Sequence, residues 1–149
     1  MNVRAVVIAF WPAVLLATPA RAQVDRWERQ VHEQVERAAA SLGASGIGKA
    51  LTTHVDMLNT DESESFTLTL RAGISYVVVG TCDEDCSNLG LVLSDLSSHD
   101  LAADRASGNA PVTQLTPRET ASYRVKAVMA SCRVNPCRYG VAVITPPAP

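Results

Sequence analysis

The spacing of apolar residues changes once along the chain. In residues 25–42, Trp27, Val31, Val35, Ala38 and Leu42 recur at three- and four-residue steps, while Arg26, Arg29, Glu33, Glu36 and Arg37 occupy the other faces. That is the apolar stripe of an amphipathic helix. Asp25 is its predicted N-cap, with Glu28 at capping-box spacing, and Gly43-Ala44-Ser45-Gly46 ends it. From about Lys49 the period falls to two. Phe66, Leu68 and Leu70 alternate with Thr67, Thr69 and Arg71, and after the Ala72-Gly73 turn Ile74, Tyr76 and Val78 resume the pattern. Leu89, Leu91 and Leu93 form another such set. The clearest is residues 121–129, with Tyr123, Val125, Ala127 and Met129 inward against Ser122, Arg124 and Lys126. Tyr139, Val141 and Val143 follow, and weaker strands are predicted at 51–58, 100–106 and 111–115. Seven or eight short strands separated by polar turns predict a mainly β fold, an antiparallel β-sandwich preceded by an α-helix.

The N-terminus has a different character. Arg4 precedes an apolar run from Ala5 to Leu16, and Ala17-Thr18-Pro19-Ala20-Arg21-Ala22 ends in small residues two apart. This reads as a secretory signal peptide over residues 1–22. The run is short for a bilayer span. Residues 23–47 are then the helix and a glycine-rich linker, 48–145 the sandwich, and 146–149 a disordered tail. The chain of 149 residues has a formal charge of −2. Loss of Arg4 and Arg21 leaves eleven bases against fifteen acids, a charge of −4. No basic footprint for nucleic acid remains, and no membrane span is expected after cleavage.

Four cysteines in an exported chain predict disulfides. They stand as two close pairs, Cys82-Asp83-Glu84-Asp85-Cys86 and Cys132-Arg133-Val134-Asn135-Pro136-Cys137. Three connectivities are possible. Each pair sits where a strand runs into a turn, which favours Cys82–Cys86 and Cys132–Cys137. On the chain-entropy model such rings stabilise by about 2 kcal/mol each, against nearer 4 for cross-pairing.

The run Leu70-Arg71-Ala72-Gly73-Ile74-Ser75-Tyr76 and the following Gly80-Thr81-Cys82-Asp83-Glu84-Asp85-Cys86 resemble bacterial pre-peptidase C-terminal domains. The similarity extends to a small cysteine-bearing branch of exported proteins, through Met129, Cys132, Pro136 and Cys137. It covers residues 48–144. It implies a jelly-roll-like sandwich acting as a non-catalytic accessory or binding module. The chain departs from the pattern at Asn88-Leu89-Gly90-Leu91, where such sequences tend to carry two aspartates, and at Ser107-Gly108-Asn109-Ala110.

Three kinds of chemistry have candidate residues in this chain. Asp83 and Asp85 flank Glu84 in one tight loop, and Asp95 and Asp104 are candidates to join them around Ca²⁺, which takes six to eight oxygens. The spacing is not that of an EF-hand. Catalysis has less support. His32, His54 and His99 lie in no hydrolase motif, and His32-Glu33-Gln34-Val35-Glu36 lacks the second histidine of HExxH. Sugar binding lacks a visible aromatic platform, because Phe66, Tyr76, Tyr123 and Tyr139 fall on inward strand positions. The helix stripe has two readings, packing on its own domain or contact with a partner. The second assigns Trp27, Val31 and Val35 to a partner surface. The resulting expectation is an exported, non-enzymatic binding or accessory module of the cell envelope, meeting a protein or other envelope component. The alternatives are a calcium-stabilised recognition module and, more distantly, a hydrolase.

Overall fold

The computed structural model describes residues 20–44, 50–105 and 108–145. Most of the expected signal peptide, the glycine-rich linker and the tail lie outside the described residues. One helix, α1 (Ala20–Ala44), is followed by eight strands: β1 (Ala50–Leu58), β2 (Glu62–Leu70), β3 (Tyr76–Cys82), β4 (Cys86–Ser94), β5 (Asp100–Asp104), β6 (Val112–Leu115), β7 (Ala121–Cys132) and β8 (Cys137–Ile144). The helix starts upstream of the predicted Asp25 cap and runs through it. Ile74, expected to resume the inward pattern, lies in the loop before β3, which begins at Tyr76, and is exposed. No helix among the described residues is long and apolar enough to cross a membrane.

The strands form two four-stranded antiparallel sheets, β1-β8-β3-β6 and β2-β7-β4-β5. This is the strand order of a jelly roll, in which the chain wraps repeatedly from one sheet to the other. Alternation decides what each sheet turns inward. Tyr76, Val78, Tyr139, Val141 and Val143 of the first sheet meet Leu89, Leu91, Leu93, Tyr123, Val125 and Met129 of the second in one buried core. Gly80 belongs to this inner face. A Cβ there would stand 2.9 Å from the Pro111 ring and 3.2 Å from Leu89, so only glycine lets the Pro111 loop and the Leu89 side chain approach.

A second apolar cluster lies outside the first sheet. Val77 and Val79 of β3 and Ala142 and Ile144 of β8 point away from the sandwich and are covered by Val31, Val35 and Ala39 of α1. Val31 and Val35 are 0% and 1% exposed. Burying side chains of this size contributes about 1.5–3 kcal/mol each. The helix lies against β8, β3 and β1, and Thr81 Oγ1 donates a hydrogen bond to Gln34 Oε1 at 3.0 Å. The stripe therefore packs on its own domain. The partner surface expected at Val31 and Val35 is corrected accordingly: both are core residues, because β3 and β8 present apolar side chains on both faces and leave an outer layer to be covered. The Trp27 side chain lies outside the described residues.

Candidate functional site

β1 and β2 are edge strands of different sheets, joined by a corner at residues 59–61. The corner is held on both sides. Glu62 Oε2 accepts from the Asn59 backbone N–H at 2.8 Å and from Asn59 Nδ2 at 3.0 Å. The Thr60 N–H donates to Asn135 Oδ1 at 2.9 Å, and the Asp61 N–H to the Met129 carbonyl at 2.7 Å. Asp61 itself sits in the left-handed region, with φ of 66°, which aspartate tolerates better than most residues.

Residues two apart share a strand face, so His54 and Asp56 join Leu58 on the inward-turned side of β1. On β2 the same parity places Glu64 with Phe66, Leu68 and Leu70. The corner thus brings a histidine and two carboxylates to the seam where the sheets meet. One ligand-capable atom from each of His54, Asp56 and Glu64 lies within 4.8 Å of the others, and they are the only such group of three among the described residues.

The seam is only partly wet. The His54 ring stacks obliquely on Phe66 at a centroid distance of 5.1 Å and lies 6.1 Å from Tyr139. Its Nε2 is 3.5 Å from Glu64 Oε2, yet it is closed off from solvent and makes no hydrogen bond. The buried Tyr139 hydroxyl donates to Glu64 Oε2 at 2.6 Å. Burial, then the hydrogen bond to Glu64, then the charges of Glu64 and Asp56 push the Tyr139 phenol far above its ordinary range. Asp56 is exposed, and its Oδ1 accepts from the Met57 N–H at 2.8 Å. The arrangement offers one nitrogen and two anionic oxygens on a scaffold fixed by two strands.

The cysteines pair locally, Cys82 with Cys86 and Cys132 with Cys137. Their loops lie side by side, since Cys86 is in register with Cys132. Asp83 clasps them. It is 5% exposed, with Oδ1 accepting from the Cys86 N–H at 3.2 Å and Oδ2 from the Arg138 N–H at 2.8 Å. The Arg133 guanidinium donates to Asp85 Oδ1 at 3.1 Å and to the Glu84 carbonyl at 2.8 Å.

The four acids considered for calcium do not converge. Asp83 and Asp85 precede β4, whereas Asp95 follows its last residue, so an extended strand of roughly 30 Å separates them. Asp95 accepts from the His99 N–H at 2.9 Å and lies 3.0 Å from His99 Nδ1. Asp104 is in register with Leu91 in mid-strand, and its Oδ2 accepts from the Val112 N–H at 2.9 Å. Each of the four is engaged by its own surroundings. His32 lies on the helix surface beside Glu36, as its position in the sequence indicates.

The outer face of the second sheet has another character. Among the described residues α1 packs chiefly on β8, β3 and β1 of the first sheet. Opposite it, a depression of about 640 Å³ is lined by Ser63, Ser65, Ser94, Ser98, Arg124 and Lys126, with Val92, Val128 and the Asp100–Arg105 ion pair. Arg124 Nη1 donates to Ser98 Oγ at 3.0 Å. Sequence alternation had placed Arg124 and Lys126 outward without marking them as a site. The seam left a subtler signal, two charged residues (Glu62 and Glu64) at the start of a strand face that continues as Phe66, Leu68 and Leu70.

No protein-family model matches the chain, and no curated protein does. Among solved structures it is similar to the pre-peptidase C-terminal domain of collagenase from Bacillus anthracis, with 17% identity and a TM-score of 0.48. The match covers 65% of this chain and 90% of that domain.

Proposed function

We propose that the protein is an exported, non-enzymatic binding module of the cell envelope, with the outer face of the second sheet as its ligand surface. The observation that carries this reading is the unequal treatment of the two outer faces. The first is apolar and sealed by α1. The second holds a depression lined by four serines, by Val92 and Val128, by the paired Asp100 and Arg105, and by Arg124 and Lys126, so that cations outnumber the one carboxylate. Serine hydroxyls both donate and accept hydrogen bonds. Arginine grips carboxylate or phosphate with two parallel bonds, while lysine supplies a point charge. The combination suits a hydroxyl-rich, anionic envelope polymer. Two disulfides support an oxidising compartment.

The test is co-sedimentation of the purified, oxidised protein with isolated cell envelopes. The wild type should pellet, and the Arg124→Glu/Lys126→Glu double variant should remain in the supernatant with an unchanged melting temperature. Failure of the wild type to pellet, or equal pelleting of the variant, would contradict the proposal.

A further inference from the structure

We infer that the β1–β2 seam is a binding site for one divalent transition-metal ion, held by His54 Nε2 and one carboxylate oxygen each from Asp56 and Glu64. The inference is independent of the envelope-binding reading, because the seam and the open sheet face share no residue.

Four observations converge on it. The three ligand atoms lie within 4.8 Å of one another, and a tetrahedral ion with bonds near 2.0–2.2 Å sets its ligands about 3.4 Å apart. Closing that gap takes side-chain rotation, and the exposed Asp56 can turn if it gives up the Oδ1 bond to the Met57 N–H or coordinates through Oδ2. Secondly, His54 Nε2 is a buried nitrogen without a hydrogen-bond partner. Buried polar atoms are nearly always satisfied, so an orphan beside two carboxylates marks a missing partner. Thirdly, Asp56 and Glu64 sit on either side of the Thr60 corner with carboxylate oxygens within 4.8 Å of one another, and two like charges that close repel. Among the described residues neither has a lysine or arginine ion-pair partner, and the one basic group near Glu64 is His54 itself at 3.5 Å. A cation between them would turn that repulsion into attraction. Finally, Tyr139 donates to Glu64 at 2.6 Å, which fits the second layer of hydrogen bonds that orients metal-ligating carboxylates.

The donor set selects the class of ion. Imidazole suits zinc, copper, iron and nickel, whereas calcium sites are built from oxygen alone. Three protein ligands at a partly exposed seam leave a coordination position for water, as in open zinc sites. Thiolates offer no competition, since all four cysteines are in disulfides.

The experiment uses tag-free, chelator-stripped protein with both disulfides intact, titrated with Co²⁺ while visible absorption is followed, then with Zn²⁺ in competition. One equivalent of Co²⁺ should develop the absorption of a low-coordinate ion, and Zn²⁺ should abolish it. His54→Gln, Asp56→Asn and Glu64→Gln should each weaken affinity at least tenfold, and Tyr139→Phe by about tenfold as a positioning residue. His32→Gln and His99→Gln, which alter the other histidine–carboxylate pairs, should bind as the wild type does. Far-UV circular dichroism checks each fold, and the exposed Asp56→Asn provides a variant that leaves packing untouched. Absence of stoichiometric binding, full affinity in Asp56→Asn and Glu64→Gln, or loss of binding in His32→Gln or His99→Gln would overturn the site.

Discussion

The two sheets of this sandwich are built from the same antiparallel pairing, yet their outer faces have opposite fates. In the first sheet β3 and β8 are buried on both sides, so Tyr76-Val77-Val78-Val79 and Val141-Ala142-Val143-Ile144 read as unbroken apolar runs. In the second, β2 and β7 alternate, with Thr67, Thr69, Ser122 and Lys126 left to solvent. An antiparallel sheet ordinarily has one wet face. In β3 and β8 the continuous apolar run marks a face that α1 covers, whereas β4 of the second sheet is buried from Leu89 to Ser94 with its outward Val92 and Ser94 shielded by neighbouring side chains.

The sharpest way to break this comparison is to place one charge on each face. Val35→Asp buries an unpaired carboxylate against Val79, Ala142 and Ile144, a mechanism that belongs to the large-effect tail of single substitutions. It should cost about 4 kcal/mol in urea unfolding or release the helix from the sheet. Lys126→Asp on the open face should stay within about 0.5 kcal/mol of the wild type. Similar losses from both would mean that the faces are not distinguished as described.

A matched pair of glycines tests the same contrast more gently. At Gly140 an added Cβ would meet Val35 Cγ2 at 2.5 Å and Val31 Cγ1 at 2.9 Å. Those methyls belong to stiff β-branched side chains, so the helix itself must shift. Gly140→Ala should cost about 1–3 kcal/mol as overpacking. Gly90 lies on the outer face of the second sheet, where the nearest atom to such a Cβ is the Asp104 carbonyl oxygen at 3.5 Å, an ordinary contact. Gly90→Ala should leave the thermal midpoint nearly unchanged.

The smallest effect expected is electrostatic and belongs to the exposed corner that leads into the second sheet. The Glu62 carboxyl is held below its ordinary 4.5, first by the Asn59 backbone N–H and then by the Asn59 side chain. A lowered folded-state value means that the contribution is complete above pH 4.5 and is lost as the pH falls through the folded value. Glu62→Gln should therefore flatten the decline of the melting temperature below pH 4.5. An unchanged acid slope would show that this contact is too well solvated to matter.

Much of the architecture was legible in the chain because burial there follows simple periods. Alternation at Phe66-Leu68-Leu70 and at Tyr123-Val125-Ala127-Met129 identified inward faces, and the helix stripe marked Val31 and Val35 as apolar contacts. What covers a stripe is another matter. Periodicity records that a face leaves water, not which surface receives it, and Val77, Val79, Ala142 and Ile144 are recruited from strands up to about a hundred residues away. The acidic residues show the same limit. Asp83 and Asp95 look like partners in sequence, yet β4 holds them apart. His54, Asp56 and Glu64 sit in unrelated local patterns and become neighbours only because the chain turns a corner at residues 59–61.

Helix α1 serves its own domain and leaves the outer face of the second sheet uncovered. Methyl–methyl nuclear Overhauser contacts in the oxidised protein test this packing most directly. Strong cross-peaks are expected from Val31 and Val35 to Val77, Val79, Ala142 and Ile144, with the helix tumbling as one body with the sandwich. Missing cross-peaks and a helix that tumbles independently would contradict this packing, and would return the stripe to the surface as a candidate for partner contact.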